Sequence, residues 1–445
     1  MRSMGWSFRF SFRVPLVVSA LCSAALAISV SPAGAQRPDD DHGKSAWFVE
    51  ESSRLPASMA NEPAGTSSLG VSLADIDRDG DLDIFLAEGT AGLEGRPNIL
   101  LINDGRGFFS DQSATRLPLA PIVNSVKGAF ADFDRDGDVD LVIANVGPEQ
   151  LLLNDGHGHF SDASSQLPAP PDIFSDISSD VLVADVNGDR CPDILVANEN
   201  PFDPSPDHGA QNRLWLNDCH AHFSDATAAR LPVATDQTGL LLSGDLDCDG
   251  DLDLVALNRG QERILLNNGR GFFVDATSDR FPVTTDSSRS GALSDMNGDG
   301  TLDLVVSNSR GEVPRLYLND GNGFFREEPI PYVEADGETD TALALVDLDG
   351  DRFPDVYIGN AGRFDGGHGF EGGPDHFFEN HHGHLREATA AHATFPVDQA
   401  TTAAAFGDLD GDGDADLVVA GTGDGALGRE RIFMRRGHRG PHHEH

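Results

Sequence analysis

The chain has 445 residues, 73 of them Asp or Glu against 31 Lys or Arg, for a formal net charge of −42. That sign excludes a nucleic-acid partner held through phosphate contacts, which need cations on the protein. The first residues explain none of the acidity. Arg2, Arg9 and Arg13 precede an apolar stretch over 14–30, and Ala33-Gly34-Ala35 supplies small residues for cleavage before Gln36, the pattern of an export signal. Cys22 would suit a lipoprotein only after a small residue, and Leu21 stands there. The expectation is a signal peptide over 1–35, cleaved near Ala35, then a polar leader over 36–46 and a secreted or periplasmic mature protein. An uncleaved anchor is the alternative. No later segment approaches the ~20 apolar residues of a membrane span.

From residue 75 onward one nonapeptide recurs seven times, starting at Asp75, Asp132, Asp185, Asp245, Asp295, Asp347 and Asp408. Position 3 is Asp77, Asp134, Asn187, Asp247, Asn297, Asp349 and Asp410. Position 5 is always Asp: Asp79, Asp136, Asp189, Asp249, Asp299, Asp351 and Asp412. So is position 9: Asp83, Asp140, Asp193, Asp253, Asp303, Asp355 and Asp416. Alternate oxygen donors in a tight glycine-bearing turn are what a hard dication such as calcium requires. Position 7 varies freely, as Asp81, Asp138, Cys191, Asp251, Thr301, Phe353 and Asp414. Such freedom fits a residue that offers its backbone carbonyl and turns its side chain away. Up to seven calcium ions are therefore expected, and they would offset much of the acidity. Acidic hairpin tips without metal are the bland alternative, but turn chemistry gives no reason to repeat that repulsion seven times. An EF-hand is excluded, because its twelfth position is a bidentate Glu and here it is Leu86 or Ile143.

Glycine sits at position 6 in five copies but at position 4 in the third and sixth (Gly188, Gly350), which also carry Pro192 and Pro354 at position 8. Those two turns are expected to be built differently.

Around each loop the order of segments is constant. A short apolar strand enters, as in Gly239-Leu240-Leu241-Leu242-Ser243, and a second leaves, as in Asp253-Leu254-Val255-Ala256-Leu257-Asn258. A third follows (Arg263-Ile264-Leu265-Leu266), then a turn of the Asn-Asp-Gly type, which recurs at Asn103, Asn154, Asn267 and Asn319 and is a strong hairpin signal. A fourth segment, 272–277, closes the unit before Arg280-Phe281-Pro282. Four short strands per unit of about 55 residues make a propeller blade. The chain opens on a fourth strand (Trp47-Phe48-Val49-Glu50-Glu51-Ser52, then Arg54-Leu55-Pro56) and ends on a third (Ile432-Phe433-Met434-Arg435). The fold expected is all-β: a seven-bladed β-propeller of four-stranded blades over 47–436. Its ring is closed by the N-terminal strand completing the last blade, which removes an open edge. A His-rich tail over 437–445 follows.

The Asp-rich loop, the apolar strand after it and the Asn-Asp-Gly-x-Gly-x-Phe turn resemble FG-GAP/VCBS repeats. These build the calcium-bearing seven-bladed propeller of integrin α subunits and of many secreted bacterial proteins, and the likeness here is to the secreted bacterial type. The resemblance implies calcium loops between strands 1 and 2 on one face, bracing the blades. Such propellers usually carry complete loops in some blades only, whereas here every blade has one. No stalk or catalytic appendage is expected beside the propeller. The repeat serves adhesion proteins, lectins and accessory modules alike, so it constrains function little.

Connections between strands 2 and 3 are long at 88–97, 199–211, 361–375 and 422–430, and three of these would cluster where blades 6, 7 and 1 meet. Phe202, Phe364, His368 and Phe370 are the candidate contact residues in these long connections, since loops on a rigid scaffold are where binding resides; flexible loops without a ligand are the equal alternative. The pairs His157/His159, His220/His222 and His382/His384 fall in separate blades and cannot pool into one zinc site. His438, His442, His443 and His445 lie in the tail. After signal cleavage Cys191, Cys219 and Cys248 remain; Cys191–Cys219 is the favoured disulfide and Cys219–Cys248 stays open.

Nucleophile, phosphate-loop and zinc-protease motifs are missing, so no enzyme is expected. The function expected is a calcium-binding scaffold, the metal structural, for another macromolecule, an extracellular protein or glycan. The protein should be a monomer without a membrane span. The alternatives are a lectin-like carbohydrate-binding propeller, disfavoured by only three Tyr and three Trp, and a polysaccharide lyase or hydrolase. If the metal reading holds, Asp299→Ala should lower thermal stability in calcium far more than in chelator.

Overall fold

In the computed structural model the described residues are 47–59, 66–90, 95–119, 123–169, 177–200, 209–309, 312–330, 339–362, 372–389, 395, 400–422 and 430–436. The export signal, the polar leader, the tail histidines and the loop candidates Phe202, Phe364, His368 and Phe370 lie outside them.

Each nonapeptide joins two antiparallel strands, and the strands group into seven four-stranded units, numbered here by their loops. Unit 4 runs Thr238–Gly244, Asp253–Asn258, Arg263–Leu266 and Val274–Asp275, each strand paired with the next. Apolar runs such as Leu254-Val255-Ala256-Leu257 form the second strand because both faces of each sheet are covered. The first strand of every unit carries an irregularity in its register near its start, between Thr238 and Leu240 in unit 4. The N-terminal strand Phe48–Glu50 pairs antiparallel with Arg431–Arg435 and so supplies the fourth strand of unit 7. The fold is a β-propeller.

Successive side chains of a strand point to opposite faces, and each unit spends one face on each neighbour. In unit 1, Ile84 and Leu86 pack with Val418, Ala420 and Ile432 of unit 7. Between them, Phe85 and Ala87 pack with Leu141, Ile143 and Leu152 of unit 2. The same division gives clusters between units 2 and 3, 3 and 4, 4 and 5, 5 and 6, and 6 and 7. The core is thus a set of junctions, including one between the last unit and the first. At about 25 cal/mol per Å² of apolar area, these junctions supply the main drive for stacking.

A ring of polar bonds at one end and a set at five junctions at the other register the units. At the loop end, the turn Asn of each unit donates Nδ2 to the position-2 carbonyl of the preceding loop. Asn154 reaches Ile76, Asn217 reaches Phe133, Asn267 reaches Val186, Asn319 reaches Leu246 and Asn380 reaches Met296, at 2.8 to 2.9 Å. Asn103 closes the circle on Leu409 at 2.8 Å, and Arg435 takes the part of Asn in unit 7, reaching Leu348. At the opposite end, a residue before strand 3 meets the hydroxyl of the next unit's first strand: Glu149 with Ser178, Asn212 with Thr238, Glu262 with Ser288, Asp375 with Thr401 and Glu430 with Ser68.

The fourth strands are shorter than expected. Among the described residues, those of units 1, 3 and 4 are followed by one helical turn, Ser113–Arg116, Thr227–Arg230 or Thr277–Arg280, and those of units 7 and 2 by a 3-10 turn, Ser52–Arg54 or Ser164–Gln166. An Asp-x-Ser/Thr triplet nucleates four of them. Asp275 accepts the Thr277 N–H at 3.0 Å, while Thr277 Oγ1 accepts the Ile264 N–H of strand 3, and units 1, 2 and 3 repeat the pair. A side-chain oxygen thereby ends the ladder and starts a helical turn.

Candidate metal centres

All seven loops adopt one turn. Position 4 has positive φ throughout (Arg78 62°, Arg135 63°, Gly188 77°, Cys248 59°, Gly298 81°, Gly350 79°, Gly411 74°). So does position 6 (Gly80 96°, Gly137 90°, Arg190 69°, Gly250 92°, Gly300 88°, Arg352 80°, Gly413 87°). The expectation that the third and sixth loops are built differently is corrected: two left-handed residues are needed in every loop, and glycine occupies one or both. Pro192 and Pro354 keep the carbonyl contact made elsewhere, each accepting from its turn Asn at 3.1 Å.

Within the turn the carboxylates gather backbone donors. Asp245 Oδ1 and Oδ2 accept the N–H groups of Asp249 and Gly250 at 3.1 Å, and Asp249 Oδ1 accepts that of Asp251 at 3.0 Å. The same bonds recur from Asp75 in unit 1 and Asp408 in unit 7. Ligand oxygens of Asp75, Asp77 and Asp79 lie within 4.8 Å of one another, as do those of Asp132, Asp134 and Asp136, of Asp347, Asp349 and Asp351, and of Asp245, Asp247 and Asp253. Oxygens on opposite sides of a calcium ion stand about 5 Å apart, twice its 2.3–2.6 Å bond length.

Position 3 carries the sharpest observation. Asp77 Oδ1, Asp247 Oδ1 and Asp410 Oδ1 are buried and have no hydrogen-bond partner, and neither has Asp132 Oδ1 at position 1. A buried, unpaired carboxylate oxygen is costly, and here it sits among other carboxylates. These hard oxygen donors fit calcium, and nothing in the set favours zinc. Residues at positions 1, 3 and 5, with the carbonyl of position 7, could hold the ion.

Position 9 does more than the spacing suggested. Asp253 is fully buried; its Oδ2 accepts the Leu246 N–H at 3.0 Å and its Oδ1 the Asn267 N–H at 2.8 Å. Asp83, Asp140, Asp193, Asp303, Asp355 and Asp416 make the same two bonds, Arg435 replacing Asn in the last. The carboxylate ties loop to turn in every unit, and in unit 4 it also belongs to the ligand cluster. Burial pushes its pKa up to about 7 in Asp83, Asp140, Asp193 and Asp416, about 6 in Asp253 and Asp303, and about 8 in Asp355, against the backbone bonds that lower it.

Position 7 turns its side chain to the strand 3–4 turn of its own unit. A Cβ added to Gly105, Gly156 or Gly269 would collide with Asp81, Asp138 or Asp251 respectively. Thr301 Oγ1 lies 3.1 Å from the Asn319 carbonyl, and the Phe353 ring lies 4.1 Å from that of His382. In unit 3 the same meeting point is covalent. Cys191 is bonded to Cys219, Cα to Cα 5.1 Å, which leaves Cys248 free and exposed. Cys219 (φ 68°) stands where four other turns have glycine. With both sulfurs in the disulfide neither offers a thiolate ligand, although Asp189, Cys191 and Cys219 lie close together. The His pairs of the turns are exposed, and His159 and His222 lean on their own Asp155 and Asp218.

The sequence model of the FG-GAP-like repeat matches residues 75–143, 132–196, 245–306 and 295–358, together more than half of the chain. The chain belongs to the FG-GAP-like repeat family. Its relatives include cartilage acidic protein 1 of Xenopus tropicalis, 30% identical over 205 residues, which are 44% of this chain and 29% of that protein. The mouse protein of the same name is 36% identical over 120 residues, 26% of this chain and 18% of its own. The matched stretches thus span less than a third of these vertebrate relatives' own length. Among solved structures, a chain of BBS1N in complex with ARL6DN, soaked with mercury, superposes with a TM-score of 0.53 at 11% identity. The superposition covers 88% of this FG-GAP protein and 98% of that chain, and it speaks to the fold alone. Among the described residues, no helix is long and apolar enough to cross a membrane.

Proposed function

We propose that this FG-GAP protein is a calcium-stabilised binding scaffold, exported from the cytoplasm, whose seven units are the blades of one closed propeller. The observation that carries the metal is the position-3 carboxylate of units 1, 4 and 7, with one oxygen buried among its sister carboxylates and lacking any protein partner. Calcium supplies the missing positive charge when bound. The residues themselves hold the loop in its two left-handed turns and tie it, through position 9 and the turn Asn, to the rest of the propeller. The metal is structural in this reading, and another macromolecule, an extracellular protein or glycan, is what the scaffold binds. No enzymatic role is proposed.

The lectin alternative would need an open aromatic platform once per blade. Phe108, Phe272 and Phe324 are exposed and recur at one place in the turn, but each ring already carries a guanidinium, that of Arg54, Arg230 or Arg280, 4.7 to 5.0 Å from its centroid. The test is thermal unfolding of the protein in excess calcium and in excess chelator, followed by a glycan array on the calcium-loaded form. A large calcium-dependent rise in Tm is expected. No rise would end the metal reading, and calcium-dependent capture by a defined glycan would move the scaffold to the lectins.

A further inference from the structure

The Arg-Leu-Pro or Arg-Phe-Pro triplet after strand 4 marks the repeat but has no part in the metal loop as the sequence presents it. In the structure its guanidinium stands between one loop and the next unit. Arg116, at the end of unit 1, reaches Asp77 Oδ2 of its own loop at 3.0 Å and the His157 carbonyl of the unit 2 turn at 2.8 Å. Arg280 lies 3.6 Å from Asp247 Oδ2 of unit 4 and donates to the Asn322 carbonyl of unit 5. Arg54, in the N-terminal segment that completes unit 7, lies 3.7 Å from Asp410 Oδ2 and donates to the Arg106 carbonyl of unit 1. Arg54 and Arg280 also lie over the Phe108 and Phe324 rings of those same turns.

The three carboxylates touched by these arginines are the three position-3 residues whose other oxygen is buried without a partner. Glycine marks the same contact from the far side. A Cβ on Gly323 would stand 3.0 Å from Arg280 Nη1 and 3.7 Å from the Asp247 Cβ, and Gly107 is hemmed in alike by Arg54 and Asp410. Unit 2 ends in Gln166 instead of Arg, and the turn that follows it carries Ala221 at this glycine's place, with φ 58°. The side chain that the arginine excludes elsewhere is tolerated where the arginine is missing.

We infer that Arg54, Arg116 and Arg280 are positioning residues that couple each metal loop to the docking of the next unit. The guanidinium fixes the outer oxygen of position 3 and leaves the inner one, buried and without a partner, as the one that would take an ion. The same group holds the neighbouring turn by its carbonyl and, in two cases, by its aromatic ring. Filling the loop removes the mutual repulsion of the carboxylates and fixes the position-3 side chain, and with it the guanidinium and the turn it holds. Units 7, 1 and 4 are therefore coupled to their successors. Unit 3 keeps Arg230 on its neighbour's turn but has Asn187 in place of the carboxylate, so that junction is stacked without being coupled.

This inference rests on the calcium reading, and hydrogen exchange on the intact protein separates the two. In the wild type, added calcium is expected to slow exchange both in the 245–253 loop and, about tenfold, in the 319–325 turn of unit 5. In Arg280→Gln the loop should keep its calcium response while the turn loses it, and Arg280→Lys should restore only part, since an ammonium lacks the planar fork. The 217–223 turn, which follows Gln166, should respond little in all three proteins. A calcium response of the 319–325 turn that survives Arg280→Gln undiminished, with the loop also responding, would overturn the coupling and leave the metal reading intact. A wild type whose 245–253 loop does not respond at all would overturn both.

Discussion

The loops of units 4 and 5 are neighbours built on the same nonapeptide, and they differ in how far the protein satisfies its own oxygens. In 245–253 the position-3 side chain is a carboxylate with Arg280 on one oxygen and nothing on the other. In 295–303 it is Asn297, which donates Nδ2 to Asp299 Oδ2 at 2.9 Å, while Thr301 donates its hydroxyl to Asp299 Oδ1 at 2.6 Å. Burial works against it, but the hydroxyl of Thr301 and the amide of Asn297 leave the Asp299 pKa below the usual range. Burial and the neighbouring Asp249 raise that of Asp247. One loop keeps a buried oxygen without a partner among like charges, and the other closes on itself. Two loops that read alike as ligand patterns therefore need not fill alike.

The largest effect, read in chelator, should be blind to this difference. Asp253→Ala or Asp303→Ala strips partners from two buried N–H groups at once, and each should cost about 2–4 kcal/mol in denaturant unfolding in chelator, with a further loss in calcium only for Asp253→Ala, whose carboxylate also lies in the ligand cluster. A loss confined to calcium would mean that position 9 is a ligand and nothing more. Next is the ion itself. At millimolar calcium and the ~10⁻⁴–10⁻³ M affinities of extracellular modules, each filled site adds about 0.4–1.4 kcal/mol. Asp247→Ala should forfeit that gain in calcium and change little in chelator. Asp299→Ala, by contrast, should lose about 1–2 kcal/mol in both, because its oxygens already serve Thr301 and Asn297. This replaces the simple expectation that Asp299 matters mainly in calcium. A larger drop for Asp299→Ala in calcium than in chelator would show that loop 5 opens for the ion after all.

The pH profile sharpens the same contrast. Position-9 carboxyls keep their proton in the folded state to about pH 6–8, whereas an unfolded Asp releases it near pH 4. The folded state therefore binds more protons across that window, and stability in chelator should fall as pH rises from about 4 to 7. Saturating calcium should flatten or reverse that slope. A chelator profile that rises toward neutral pH would show that these groups are ionised in the folded protein. The smallest expected effect is Asn297→Asp, which should raise the calcium response of loop 5 toward that of loop 4 by about 0.5–1 kcal/mol.

The strand order, the seven loops and the N-terminal strand that completes the last unit were legible because hydrophobic runs and turn residues repeat locally. The disulfide was legible only as a preference, since Cys191 and Cys219 share one repeat. Its reason emerges when the units are overlaid: position 7 and the turn glycine meet in one unit after another, and unit 3 has cysteine at both. The single helical turns after strand 4 were missed, although Asp275-Ala276-Thr277 and its counterparts signalled them. The binding-loop candidates Phe202, Phe364, His368 and Phe370 fall outside the described residues.

Sequence alone settled what lies within reach of the local chain: carboxylates two residues apart on one turn, short apolar strands on either side of it, a hairpin at each Asn-Asp-Gly. Tertiary structure decided what those groups do for one another. Asn154 meets Ile76 across 78 residues, and Asn103 meets Leu409 across 306. Arg116 finds Asp77 and His157 at once only because two units stack. A repeat pattern specifies each unit to itself, but which polar atom is left without a partner depends on the neighbour, and that neighbour exists only once the units have stacked.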